Sequence, residues 1–143
     1  MNDEPVIVEQ TFDTLPAKIW KAITDKEEMK KWYFNIKEFK PEKGFEFRFW
    51  AGKDEKNQYE HVCKITELIP EKKLTYSWRF ESYEGLSFVT FELFPEGKKT
   101  RFKLTHAGLG TFPADNPDFA RDNFVEGWNY IIRTSLKNYI EDK

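Results

Sequence analysis

The last stretch of the chain, from Asn116 to Asp142, constrains the fold most, because its pattern predicts a long helix. At about 3.6 residues per turn, its apolar side chains form one broad stripe and its polar side chains lie opposite. The stripe comprises Phe124, Val125, Trp128, Ile131, Ile132, Leu136 and Tyr139. Asn116 is suited to cap the helix, and Pro117 and Asp118 are typical of a first turn. A helix of this kind must lie on an apolar surface that the rest of the chain supplies.

Gly127 lies on the edge of that stripe, immediately before Trp128. Glycine inside a helix lowers its stability by about 1 kcal/mol relative to alanine. We therefore expect the backbone of a neighbouring segment to approach the helix closely at this position.

The residues before the helix predict a layer of antiparallel strands. Alternating apolar and polar side chains predict seven strands, and turns containing Pro and Gly favour antiparallel neighbours. The predicted strands are residues 5–13, 35–39, 45–50, 58–69, 74–80, 89–93 and 102–106. Two short helices are predicted between Leu15 and Trp32. Since each strand offers one apolar face, we expect an α+β fold in which a curved seven-stranded sheet wraps around the terminal helix.

Size and charge exclude several classes of protein. A chain of 143 residues predicts a single domain, residues 1–143, that can bury a core without disulfides or metal ions. A net charge of −2, with both signs interspersed, argues against binding to nucleic acid or to an anionic membrane. There is no apolar run long enough for a membrane span, and the first residues do not resemble a signal peptide. The single cysteine, Cys63, excludes an intramolecular disulfide, so we expect a cytoplasmic protein.

The chain is rich in aromatic residues, with 14 Phe, 6 Tyr and 5 Trp. Rings in this number either fill a core completely or line a cavity. Strand parity and the helix stripe point one set of side chains toward the space between sheet and helix. These are Phe45, Phe47, Phe49, His61, Cys63, Tyr76, Trp78, Phe91 and Phe102 on the sheet, and Phe124, Trp128 and Ile132 on the helix. We predict that they line a cavity for a small apolar or amphipathic ligand, and a solid core is the alternative.

Arg121 is the charged residue of most interest, since it projects from the helix at about the same angle as Trp128. It either binds an anionic group of the ligand at the mouth of the cavity or extends to solvent. In the absence of a second observation, both interpretations stay open.

The sequence offers weak grounds for a metal or for catalysis. His61 and Cys63 share a strand face, but two ligands are too few, and nothing in the sequence brings His106 to them. We predict no metal and interpret His106 as a structural histidine. A nucleophile elbow, a phosphate-binding loop and a dinucleotide fingerprint are all missing from the sequence, so no catalytic residue and no cofactor are predicted.

Several short motifs, taken in order, carry a resemblance to a known family. They are Pro16-Ala17-Lys18-Ile19-Trp20, Thr24-Asp25, Trp32, Gly44-Phe45, residues 65–70, 74–78, 89–93 and 100–108, and Gly127-Trp128. Together they resemble the bacterial stand-alone proteins related to the C-terminal domain of the activator of Hsp90 ATPase, within the START-like or Bet v 1-like (SRPBCC) superfamily. The resemblance implies a helix-grip fold with a hydrophobic cavity between sheet and terminal helix. Where the family usually has a small residue, this chain has Cys63, which narrows the cavity or simply packs.

The resemblance is compatible with three functions. The first is binding of a small hydrophobic molecule in the implied cavity. The second is association with an Hsp90-type chaperone, although the activator itself has a further N-terminal domain that this sequence does not include. The third is a cyclase or hydrolase activity of the kind that this superfold sometimes hosts.

Overall fold

The computed structural model describes residues 4–52 and 54–141. Its strands are β1 (Val6–Phe12), β2 (Glu46–Gly52), β3 (Gln58–Ile69), β4 (Lys73–Phe80), β5 (Ser87–Glu96) and β6 (Lys99–Ala107). Helices α1 (Pro16–Thr24) and α2 (Lys26–Trp32) follow β1, and two 3-10 turns, Leu109–Thr111 and Pro117–Phe119, precede the terminal helix. Within the described ranges, no helix combines the length and apolar character needed to cross a membrane.

The six strands form one antiparallel sheet in the order β1-β6-β5-β4-β3-β2. Strands β2 to β6 each pair with their neighbour in sequence, as their short connections predict. Strand β1 pairs with β6, with Val6 opposite His106 and Phe12 opposite Thr100. The register shifts between Ile65 and Glu67 in β3, and such a bulge bends a strand. The architecture agrees with the expected helix-grip fold of a sheet and a C-terminal helix.

The predicted strand at residues 35–39 does not form, which leaves six strands in the described residues instead of seven. Ile36 and Phe39 are both buried, with 2% and 9% of their surfaces exposed. Residues three apart point to opposite faces of a strand, so a strand would have exposed one of them. The Phe39 ring instead packs edge to face on Phe47, with centroids 5.1 Å apart. The segment is an irregular connection anchored in the core at two points.

A hydrogen bond with a side chain fixes each end of helix α2. Asp25 accepts the backbone N–H of Glu27 at 2.9 Å and so caps its start. At its other end, the Trp32 carbonyl accepts the Ser135 hydroxyl at 2.6 Å, which ties α2 to the terminal helix. This bond positions the residues that follow, Tyr33 and Phe34, against the core.

The start of the terminal helix differs from the prediction. Asn116 does act as a cap, since its side chain accepts the N–H of Asp118 at 2.9 Å, but it caps the 3-10 turn Pro117–Phe119. Ala120 is extended, and the helix proper begins at the next residue. A proline and a cap therefore mark a separate turn ahead of the helix.

From there the chain is helical to the end of the described residues, whereas the prediction ended at Asp142, which lies outside them. Helix α3 (Arg121–Tyr130) continues through six residues of π-helix (Ile131–Leu136) into α4 (Lys137–Glu141). We call these three segments together the terminal helix. The centre of its predicted apolar stripe is confirmed, since Trp128, Ile132 and Leu136 are 2% exposed or less.

Candidate ligand-binding site

The space directly beneath Trp128 is packed with aromatic rings. The Trp128 side chain is 2% exposed, and its ring centroid lies 5.6 Å from that of Trp78 and 6.1 Å from those of Phe91 and Tyr33. Phe102 is completely buried behind them. The rings of Trp78, Phe91 and Tyr33 therefore occupy the space directly beneath Trp128.

A cleft of about 460 Å³ lies beside the N-terminal half of the terminal helix. It is bounded by the helix, the turn Pro117–Phe119, the segment after α2 and the ends of strands β2 to β4. The lining residues are Phe34, Ala51, Gly52, Tyr59, His61, Phe80, Asp118, Phe119, Asn123, Phe124, Glu126 and Gly127. Small-molecule sites typically have volumes of about 300–1,000 Å³ and mostly apolar walls with a few polar groups. The cleft has the size and composition of such a site.

Gly127 opens the helix side of this cleft. A Cβ atom built on it would meet no atom within 4 Å, so the expected close approach of another backbone is wrong. The missing side chain leaves space in the cleft instead. Any larger residue at this position would project into that space.

The outer wall is made by the turn Pro117–Phe119. Phe119 is buried and stacks on Phe80, with centroids 4.4 Å apart and ring planes at 16°. The Tyr59 hydroxyl donates to Asp118 at 2.6 Å, and this hydrogen bond raises the pKa of Tyr59. Because the bond joins β3 to the turn, it holds Phe119 in place over the end of the sheet.

His61 forms the inner wall of the cleft. Its Nδ1 atom lies 2.9 Å from the carbonyl oxygen of Tyr59, and a carbonyl only accepts, so the Nδ1 atom carries the proton. The ring lies among those of Phe49, Phe80 and Trp78, with centroids 4.6, 4.8 and 4.9 Å away. Burial lowers the pKa of His61 to about 4, so the ring is neutral at pH 7. The inner end of the cleft therefore carries no charge from this residue.

His106 lies in a buried hydrogen-bond network beside Trp128. The Trp128 indole N–H donates to His106 Nδ1 at 2.9 Å, so the proton of His106 sits on Nε2 and donates to Ser87 Oγ at 2.8 Å. The Ser87 hydroxyl in turn donates to the Trp78 carbonyl at 2.9 Å. Burial lowers the pKa of His106 to about 3. This geometry agrees with the interpretation of His106 as a structural histidine.

These elements have counterparts in known proteins. A family model described as activator of Hsp90 ATPase homolog 1-like protein matches residues 13–141. The chain belongs to this family. The resemblance carried by the sequence motifs is thereby confirmed. A comparison with curated proteins found no match.

Several solved structures of bacterial proteins share the fold. A protein of Mesorhizobium loti has 23% identity and a TM-score of 0.80, over 96% of this chain and 97% of its own. A protein of Chromobacterium violaceum has 17% identity and a TM-score of 0.82 over the full length of both chains. The Aha1 dimer of Colwellia psychrerythraea has 20% identity and a TM-score of 0.73, over 97% of each chain. At these identities the similarity shows the fold alone.

Two of the predicted ligand contacts, His61 and Phe124, line the cleft of this family member. Phe49 and Trp78 lie directly behind His61. The other predicted residues from the sheet and the helix stripe lie elsewhere, in the core or, for Phe45, packed against it. They are Phe45, Phe47, Cys63, Tyr76, Phe91, Phe102, Trp128 and Ile132.

Arg121 is engaged outside the cleft. Its guanidinium donates to the carbonyl oxygens of Glu4 and Pro5 at 3.0 and 3.1 Å, so it fastens these two residues to the helix. The rings of His61 and His106 both contact the Trp78 indole, with centroids 4.9 and 5.2 Å from that of the indole. In the part of the chain that the structure describes, no three His, Cys, Asp or Glu side chains are grouped to hold a metal ion.

Several lining residues were missed in the sequence. Tyr59 lies two residues before His61, and Phe80 lies two residues after Trp78, so strand parity would have found both. Phe34 and Phe119 carry no such signal, since they lie in an irregular connection and in a turn that the sequence pattern merged with the helix.

Proposed function

We propose that the protein binds a small apolar or amphipathic molecule in the cleft beside the terminal helix. The observation that supports this most is the cleft itself, about 460 Å³ in volume and walled mainly by aromatic rings and glycine. Family membership gives further support, because this fold typically binds hydrophobic ligands. A cytoplasmic setting stays a prediction from the sequence.

The rings around the cleft supply the free energy for binding. Phe34, Tyr59 and Phe124 are only half-buried in the absence of a ligand. Covering apolar surface contributes about 25 cal/mol for each Å² removed from water. Phe119 and Phe80 are already buried and stacked, so that side of the cleft is preformed. A flat apolar molecule can therefore bind without first ordering the wall that it contacts.

The polar groups of the cleft lie where a ligand meets solvent. Asn123 and Glu126 are exposed on the helix, and Asp118 lies on the turn with its carboxylate bonded to Tyr59. The inner end is formed by the neutral His61 and the Phe80 ring. We therefore assign the apolar part of the ligand to the inner end and any polar part to the mouth.

A titration with the neutral fluorescent probe N-phenyl-1-naphthylamine tests this proposal. We expect its emission to rise on binding to the wild-type protein. Gly127→Leu is expected to weaken binding about tenfold or more, because the leucine side chain fills space in the cleft that the ligand would otherwise occupy. The variant should stay folded, since nothing lies within 4 Å of the Gly127 Cβ direction and leucine favours helix.

Arg133→Leu is the matched control. Arg133 is exposed on the same helix and does not line the cleft, so the variant adds a leucine away from the proposed site. Binding should be unchanged in this control. Equal affinity of Gly127→Leu and the wild type, or no binding by either, would contradict the proposal.

Association with an Hsp90-type chaperone is the second candidate, and the family of the chain favours it. Such a contact would use exposed surface, so Gly127→Leu should retain it. The test is the ATP hydrolysis rate of a purified Hsp90-type chaperone with and without this protein. An unchanged rate, together with no complex in sedimentation, would remove this candidate.

A further inference from the structure

Trp78 carries a buried hydrogen-bond donor without a partner. Its side chain is 4% exposed, and among the described residues no acceptor reaches its Nε1 atom. Trp128 provides the contrast, since its indole N–H donates to His106 at 2.9 Å. Buried polar groups in native structures nearly always have a partner, and an exception calls for an explanation.

The neighbouring tyrosine pair has a donor in excess as well. The hydroxyl oxygens of Tyr33 and Tyr76 are 2.6 Å apart, so one of their two protons forms the bond between them. Within the described ranges, neither hydroxyl has another bonding partner, and the second proton is left without an oxygen or nitrogen acceptor. Burial raises the pKa of both groups well above their ordinary value, so both keep their protons. Of these donors, the Trp78 N–H is the one that is buried with no partner among the described residues, since Tyr33 is only half-buried.

Both donors lie one side chain behind the inner wall of the cleft. The Trp78 ring contacts His61, which lines the cleft, with centroids 4.9 Å apart. The Tyr33 ring contacts Phe34, another lining residue, with centroids 4.5 Å apart. A ligand at the inner end of the cleft is thus separated from these donors by the rings of His61 and Phe34.

We propose that the ligand is a neutral molecule with a hydrogen-bond acceptor, such as a ketone or quinone oxygen, and that this oxygen binds the Trp78 indole N–H. This inference rests on the proposed function, because the same cleft admits the ligand. For the oxygen to reach Trp78, the His61 ring has to rotate out of its contact with the indole, in which the ring centroids are 4.9 Å apart. An acceptor satisfies the unpartnered donor, whereas a hydroxyl proton of a ligand would add to the excess.

Two probes of the same shape test the inference, 2-acetylnaphthalene and 2-ethylnaphthalene, which differ by a carbonyl oxygen. Their dissociation constants are measured by calorimetry for the wild type, Trp78→Phe and Trp50→Phe. We expect the preference for the ketone to fall about fivefold in Trp78→Phe, because phenylalanine keeps a ring but lacks the donor. Trp50 is 64% exposed, so Trp50→Phe should leave the preference unchanged.

The indole N–H signals in a ¹⁵N NMR spectrum provide a second readout. The signal that Trp78→Phe removes should shift when the ketone binds and stay in place when the hydrocarbon binds. An unchanged ketone preference in Trp78→Phe, or a ketone-induced shift of other indole signals only, overturns the inference and leaves the proposed function standing. If the wild type binds neither probe, the proposed function fails and the inference fails with it.

The melting temperatures of the ligand-free variants test whether the Trp78 N–H already has a hydrogen-bond partner in the free protein. We expect Trp78→Phe to melt above Trp128→Phe, because both variants lose part of a buried ring and only Trp128→Phe also loses a hydrogen bond. If Trp78→Phe melts as low as Trp128→Phe, the Trp78 N–H is already bonded in the free protein, for example to a buried water, and the inference is overturned.

Discussion

The two histidines of the chain are buried as neutral rings, and their burial has a consequence for stability. The pKa of His61 is lowered to about 4 and that of His106 to about 3, whereas an unfolded histidine titrates near pH 6.5. Below about pH 6.5 the unfolded chain therefore binds protons that the folded chain does not. The stabilising contribution is complete above that pH and decreases as the pH falls toward the folded values.

We therefore expect the free energy of unfolding to fall by about 2 kcal/mol per histidine between pH 7 and pH 5. Urea denaturation at several pH values measures it. His61→Phe should remove about half of this dependence, because phenylalanine fits among the surrounding rings and does not titrate. A free energy of unfolding that stays constant from pH 7 to pH 5 would contradict the neutral, buried state of both rings.

The tryptophans give a second prediction about single side chains. Trp128→Phe leaves the Nδ1 atom of His106 without its donor, so we expect a loss of about 1–3 kcal/mol in the free energy of unfolding. Trp78→Phe loses a similar part of a buried ring but removes an unpartnered donor, so we expect a smaller loss. Denaturant titrations of the two variants measure the difference, and equal losses would show that the hydrogen bond to His106 adds nothing.

The connection between β6 and the terminal helix is the element that shapes the cleft, and Gly85 fits against it. The φ angle of Gly85 is +110°, and an added Cβ would lie 2.5 Å from the Phe112 ring and 2.7 Å from the Thr111 carbonyl oxygen. Gly97 also has a positive φ, +69°, but open space around its Cβ direction. Both positions disfavour a side chain, and only the first has a steric clash in addition.

We expect Gly97→Ala to lower the free energy of unfolding by about 1–2 kcal/mol, the conformational term alone. Gly85→Ala should lower it by about 2–4 kcal/mol, since the clash is added. It should also weaken binding of N-phenyl-1-naphthylamine, because Phe112 packs against Phe119 of the cleft wall at 5.8 Å between centroids. Equal losses of unfolding free energy in the two variants would show that Thr111 and Phe112 shift to accommodate the added methyl group at no cost.

The elements with regular alternation could be predicted from the sequence, and the irregular ones could not. Strand parity places His61 and Trp78 on the buried face, because the side-chain period of two depends only on local geometry. Phe39 is buried from an irregular segment by contact with Phe47, which lies in another part of the chain. Likewise, the extended conformation of Ala120 separates Phe119 from the helix, although Asn116 and Pro117 have the signals of a helix start.

Taken as a whole, the molecule has a packed centre and an open end, a division that composition alone does not reveal. The aromatic excess supplies both, since the rings beneath Trp128 fill the space and those around Phe119 and Phe124 leave a cleft. The sequence predicts a ligand cavity beneath the middle of the helix, whereas the cleft in the structure lies beside its N-terminal half. The family fold places the helix on the sheet, and the turn Pro117–Phe119 before it forms the outer wall of the cleft.

The most direct test of ligand binding in this cleft is an NMR spectrum of the protein saturated with N-phenyl-1-naphthylamine. Intermolecular NOEs locate the probe by distance. We predict NOEs from its rings to the Gly127 Hα protons and to the Tyr59 and Phe119 rings. NOEs confined to Trp128 and Ile132 in the core, or to Phe88 on the exposed face of the sheet, would contradict binding in the cleft.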